Sequence, residues 1–198
     1  KAYLIVTDLP QFMDLGQNRI KAALKAIDGM SIRRFQSAFD GHILYAAPMA
    51  RQIGLPDGKW LLMEGSFDGS ATAAQGQDMP RKRAVMYSGT LNREYGIPML
   101  LDAFMGLDDR DAELWLTGGG NAEPLIRDCA AKDTRIKFFG SLPSRDDVLA
   151  LQRQASLLVN MRLPSEPASA YCFPSKLFEY MATGTPVLSF RLEGIPEE

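Results

Sequence analysis

The sequence predicts an α/β protein in which a mostly parallel sheet carries helices on both faces. Three observations predict it. Short apolar runs of strand length recur along the 198 residues, and amphipathic stretches of helical period separate them. The composition, 46% hydrophobic and 23% charged, is that of a chain that buries a core. Strands joined through helices need crossover connections, so neighbouring strands should run parallel.

Taken in order, strands are expected near Tyr3–Val6, His42–Tyr45, Trp60–Met63 and Ala84–Tyr87, then near Glu113–Leu116, Ile136–Phe139, Leu157–Asn160 and Val187–Phe190. Each is a brief run rich in β-branched, aromatic or leucine side chains. Amphipathic segments are expected near Gln17–Ile27, Ile97–Met105, Pro124–Ala131, Ser144–Gln154 and Ser175–Thr183. From Phe67 to Arg83 the residues are small and polar with no apolar period, which suits an exposed connector. A boundary is therefore expected there, dividing the chain into 1–67, a connector at 68–83, and 84–198. Both ends read as cut, because the first strand opens at residue 3 and the last is followed by only a few residues.

Bulk properties exclude several classes. A formal charge of −2 gives no electrostatic reason to expect nucleic acid as the main partner. No apolar run approaches the roughly 20 residues a membrane span needs, and the opening apolar stretch is too short for a signal peptide. Cys129 and Cys172 are too few for a disulfide framework and lack metal-ligand spacing. The single histidine, His42, sits in a strand-like run and reads as structural. The expectation is a reduced, cytoplasmic protein that needs neither metal nor cofactor.

In an open parallel sheet, ligands bind beyond the carboxyl ends of the strands, where helices begin and backbone N–H groups are unpaired. Three junctions share that grammar. One runs from Tyr87 through Gly89 and Thr90 to Pro98; the second from Leu116 through Gly118, Gly119 and Gly120 to Pro124; the third from Ala170 through Pro174, Ser175 and Lys176 to Tyr180. Each places proline where a helix starts, a position that sacrifices no hydrogen bond. As a dinucleotide fingerprint the second junction fails, because its third glycine position holds Glu123.

Helical spacing from Ser175 puts Leu177, Phe178 and Met181 on one face and Lys176, Glu179 and Thr183 on the other. A lysine in the first helical turn opposes the helix dipole unless an anion lies nearby. A phosphate would remove the conflict, and Glu179 would then accept hydrogen bonds from sugar hydroxyls. The competing reading is a solvated Lys–Glu pair.

Residues 173–188, Phe-Pro-Ser-Lys-Leu-Phe-Glu-Tyr-Met-Ala-Thr-Gly-Thr-Pro-Val-Leu, closely resemble the donor-binding signature of retaining GT-B glycosyltransferases of group 1 (GT4-like). Residues 87–104, 114–120 and 136–142 and the closing Glu-Gly-Ile-Pro-Glu-Glu follow in that family's order. The resemblance implies two Rossmann-like domains, with 1–67 as the end of the acceptor-side domain and 84–198 as a C-terminally truncated nucleotide-sugar-binding domain. It also implies a site. Glu179 would bind the ribose, and the backbone around Pro174, Ser175, Lys176 and Leu177 would hold the diphosphate. The turn through Gly140, Ser141 and Leu142 would lie along the base, with Gly118, Gly119 and Gly120 nearby. Gly89 and Thr90 would approach the diphosphate from the opposite side.

The chain departs from the family pattern at Thr90 and Tyr95, where relatives carry Arg and Lys, and at Tyr171, where a first acid is expected. Arg93 and Lys176 are the candidate catalytic cations, and Glu166 is the nearest acid upstream of Tyr171. The implied reaction moves a hexose from a UDP- or GDP-sugar to a hydroxyl of a glycan or lipid-linked glycan, with retention. Peripheral contact at the inner face of a membrane, through an absent N-terminal region, would accompany a lipid-linked acceptor. The rivals are a non-catalytic nucleotide-sugar-binding module and a nucleotide-sugar dehydrogenase or epimerase.

Overall fold

The apolar runs become eight strands in a computed structural model, which describes residues 1–9, 24, 27, 29–31, 34–65, 80–165, 167–171 and 173–195. The strands are β1 (Tyr3–Val6), β2 (Gly41–Leu44), β3 (Trp60–Leu62), β4 (Lys82–Ser88), β5 (Glu113–Thr117), β6 (Ile136–Gly140), β7 (Ala155–Asn160) and β8 (Val187–Ser189). All eight expected strands form, and every pairing among them is parallel. The helices are α1 (Pro48–Ile53), α2 (Ile97–Met105), α3 (Glu123–Lys132), α4 (Arg145–Gln154) and α5 (Lys176–Ala182), with 3-10 turns at Arg93–Tyr95 and Pro167–Tyr171. The expected helix Gln17–Ile27 lies outside the described residues except for Leu24 and Ile27. Of the expected connector, only 80–83 are described, and Lys82 and Arg83 already belong to β4.

Helix α1 was not expected from the sequence. Six residues are too few to show a period, yet its boundaries were written locally. Pro48 opens it, and Gly54 closes it in the left-handed region, where the Gly54 N–H reaches the carbonyl of Arg51.

By its contacts the chain forms two units. The first takes in residues 1–66, 164–174 and 191–198, and holds a sheet of order β1-β2-β3. Its core is Leu9, Leu44, Ala46, Met49, Ala50 and Ile53. His42 is buried in β2.

The second unit takes in residues 67–163 and 175–190, with a five-stranded sheet of order β6-β5-β4-β7-β8. Strand alternation sends Tyr87, Leu114 and Leu116 to one face, against Ile97, Leu101 and Phe104 of α2 and Ile126 of α3. It sends Ala84, Met86 and Trp115 to the other face, against Leu151 of α4 and Tyr180 of α5. Both faces are therefore covered, as a parallel sheet requires. The first strand of the unit, β4, lies at the centre, and the chain winds outward from it in both directions. Such an order reverses direction beside β4, and there the crossover loops part to leave a crevice at the carboxyl ends.

Candidate functional site

Register builds the site before any side chain does. Ser88 pairs with Thr117, and Thr117 with Gly140, so β4, β5 and β6 end in one row. The loops that follow keep the ladder going. Gly89 N–H donates to the Thr117 carbonyl (2.9 Å), Leu91 N–H to that of Gly119 (2.9 Å), and Gly118 N–H to that of Gly140 (2.8 Å). Thr117 Oγ1 donates to the same Gly140 carbonyl at 2.7 Å. Three strand-to-helix loops are thus stacked side by side and open onto one cleft of about 500 Å³.

Two glycines permit that approach. Gly118 has φ 130°, and a side chain there would run into the Gly89 carbonyl. Gly89 has φ 151°, and a Cβ on it would sit 2.6 Å from Lys176 Nζ. The lysine tip therefore covers the space that a side chain at 89 would fill.

Of the residues expected from the sequence, Gly89, Thr90, Gly118, Gly119, Ser141, Leu142, Lys176 and Glu179 line this cleft. Gly120 stands behind it, against the Leu91 carbonyl, and Gly140 lies in the left-handed region beneath Thr117. Leu177 is buried and Ser175 is exposed at the start of α5. Pro174 falls in the first unit. Arg93 is exposed on the 3-10 turn, where its backbone N–H donates to Asn121 Oδ1 (2.8 Å), and it is not part of the cleft lining. Glu166 lies outside the described residues.

The cleft also contains residues that the sequence did not single out, including Ser88, Thr117, Ser144, Arg145 and Val148. Ser144 caps α4, accepting from Asp147 N–H (3.2 Å) and donating to its carboxylate (2.7 Å). Arg145 Nε is 3.3 Å from Glu179 Oε2. The Lys176–Glu179 pairing allowed by helical spacing is therefore replaced by an ion pair across two helices. Burial pushes the Lys176 ammonium below its ordinary range, an effect that the Glu179 carboxylate only partly offsets. A partly desolvated cation beside glycine backbone is suited to receive an anion.

Behind the cleft, the Tyr180 hydroxyl fastens α5 to the end of β4. It accepts from Ser88 N–H (3.1 Å) and donates to the Ser88 carbonyl (3.1 Å). Burial raises the Tyr180 phenol above its ordinary range, so it remains a neutral donor. A larger cleft, about 720 Å³, lies in the first unit beside Arg51, Asp57, Trp60 and Tyr171. None of the glycine-rich junctions contributes to it, and size alone assigns it no chemistry. Among the described residues no cluster of His, Cys, Asp and Glu could hold a metal ion. No described helix is long and apolar enough to cross a membrane.

The second unit is thus a Rossmann-like α/β domain with its cleft at the carboxyl ends of the central strands. The family described as Glycosyl transferases group 1 matches residues 82–198, well over half of the chain. The chain belongs to that family of glycosyltransferases.

Solved structures agree on the fold. An Anabaena protein, Alr3699/HepE, in complex with UDP-glucose, superposes with a TM-score of 0.69 at 16% identity, covering 97% of this chain and 54% of that one. S. aureus TarM gives 0.67 at 13% identity, covering 96% and 36%. The lipopolysaccharide outer core galactosyltransferase WaaB gives 0.56 at 16% identity, covering 81% and 45%. The chain thus spans about half or less of the length of these structures. A sequence comparison with curated proteins gives no match.

Proposed function

We propose that the second unit binds a nucleoside-diphosphate sugar and serves hexosyl transfer, with retention, to a hydroxyl of a glycan or lipid-linked glycan. The observation that carries this reading is the convergence of Lys176, Glu179, Gly89 and Gly118 on one cleft. Lys176 and the Gly89–Thr90 backbone take the diphosphate, where negative charge grows as the sugar departs. Glu179 accepts from the ribose hydroxyls. Ser141 and Leu142 lie along the base. The donor is substrate rather than cofactor, and in this reading the ammonium of Lys176 and backbone dipoles balance the leaving group without a metal. Arg93 is a second cation for the leaving diphosphate only if its side chain turns inward on binding. Uridine is the first base to test, since the HepE complex contains UDP-glucose.

The test is calorimetric titration of the chain with UDP, GDP and NADH, repeated on Glu179→Ala and Arg93→Ala. Binding of one nucleoside diphosphate, weakened tenfold or more by Glu179→Ala, supports the reading and names the base. An unchanged affinity in Arg93→Ala removes that arginine from the site. Binding of NADH alone, or of neither diphosphate, refutes it.

A further inference from the structure

Glu179 does not stand alone in the cleft wall; it is gripped from behind by a residue that lies outside the cleft lining. Gln152 has no exposed surface. Its Nε2 donates to Glu179 Oε1 at 2.8 Å and to Ser88 Oγ at 2.9 Å, using both hydrogens of the amide. Arg145, two turns earlier on α4, meets the other carboxylate oxygen at 3.3 Å. Val148, between them on the same helical stripe, lines the cleft.

The arrangement has a cost that identifies its purpose. Among the described residues, Gln152 Oε1 is buried without a hydrogen-bond partner. Flipping the amide would set that oxygen against the Glu179 carboxylate, so the observed orientation is the one the carboxylate dictates. Stranding a buried carbonyl oxygen is unfavourable, and a methionine or leucine would fill the same space without it. A purely structural role would favour the apolar side chain. What the amide adds is a fixed direction for Glu179 and an occupied lone pair on Oε1. The remaining lone pairs of the carboxylate are left to accept from a pair of vicinal hydroxyls.

We propose that Gln152 is a positioning residue that holds Glu179 as a ribose-specific acceptor, so that the site discriminates ribonucleoside from deoxyribonucleoside diphosphates. The proposal rests on the donor-site reading above. Ser88 completes the bracket: its Oγ receives Gln152 and meets the Tyr180 hydroxyl at 3.1 Å, and its backbone is clamped by that same hydroxyl. The carboxylate is therefore referenced to the end of the central strand, from which the Gly89–Thr90 loop also departs. Ribose and diphosphate subsites share one rigid origin.

The test compares UDP with 2′-deoxy-UDP (or GDP with 2′-deoxy-GDP, whichever base binds) on wild type, Gln152→Met and Gln152→Leu, with inorganic pyrophosphate as the ribose-free control. Wild type is expected to prefer the ribonucleotide by about tenfold or more, the size of one lost hydrogen bond to a charged group. Gln152→Met keeps volume and shape, so it should melt no lower than wild type, leave pyrophosphate binding within twofold, and reduce the ribose preference below threefold. Gln152→Leu removes both N–H donors in the same way and should likewise reduce the ribose preference, which keeps the test open if one variant fails to fold. A folded variant that retains the full preference overturns the proposal, as does a lowered melting temperature with an unchanged preference. Wild type that binds the diphosphates equally well overturns the ribose role while leaving the donor site standing. Wild type that binds neither base overturns the donor site as well.

Discussion

Lys176 is an exposed residue, yet its ammonium lies over Gly89 in a partly desolvated place, at the start of a helix whose dipole opposes it. Nothing in the apo fold rewards that position fully, since the Glu179 carboxylate is already engaged by Arg145 and Gln152. Lys176→Met should therefore leave the apo protein at least as stable at neutral pH, while weakening nucleoside-diphosphate binding tenfold or more. The sign of the pH dependence follows from linkage. A lysine whose folded pKa is lowered carries its penalty below that pKa, and the penalty fades as pH rises toward the unfolded value near 10.5. Wild-type stability should thus gain on Lys176→Met at alkaline pH. Diphosphate affinity should do the reverse, falling as pH rises through the lowered pKa, because only the ammonium form attracts the anion. Melting curves and calorimetry between pH 7 and 10.5 on both proteins read these two opposed slopes. Parallel slopes would show that Lys176 has no part in anion binding.

At the scale of elements, one hydroxyl joins α5 to β4. Tyr180 is buried, and its hydroxyl satisfies both the N–H and the carbonyl of Ser88 at the last residue of the strand. Tyr180→Phe removes little volume but leaves two buried backbone groups short of a partner, which costs about 2 kcal/mol. Urea denaturation should show that loss as a lower midpoint with an unchanged slope. Nucleotide affinity should fall as well, since the helix bearing Lys176 and Glu179 then loses its direct hydrogen bonds to the strand. An unchanged midpoint would mean that water or relaxation replaces the hydroxyl. The strand and helix signals were largely legible in the sequence, because period and proline placement are local. Helix α1 escaped for lack of length, not for lack of caps.

At the scale of the whole molecule, contacts group stretches that are not continuous in sequence: 1–66, 164–174 and 191–198 form the first unit. Lys176 and Glu179 therefore belong to a stretch that leaves the second unit after Leu163 and re-enters it at Ser175. Ligand binding should stabilise the folded chain by mass action. A nucleoside diphosphate at 100 times its dissociation constant adds about 2.7 kcal/mol. At the same concentration, a tenfold weaker Glu179→Ala should gain only about 1.4 kcal/mol. Thermal unfolding with and without UDP measures both, and equal shifts in the two proteins would remove Glu179 from the site.

The sequence by itself determined the α/β class, eight strands in a mostly parallel arrangement, and the family. Of its candidate residues, Gly89, Thr90, Gly118, Gly119, Lys176 and Glu179 sit in local strand–loop–helix patterns and line the cleft, and Ser141 and Leu142, which line it too, followed from the family resemblance. Only the tertiary structure decided what surrounds them. Arg145 and Gln152 lie 34 and 27 positions before Glu179 and look like ordinary helical residues. Nothing local marks them, since their role exists only where α4 packs beside α5. The same holds for Lys176 over Gly89 and for the row Ser88–Thr117–Gly140. Contacts set by sheet order and register have no period along the chain, so they become visible only when the strands are laid side by side.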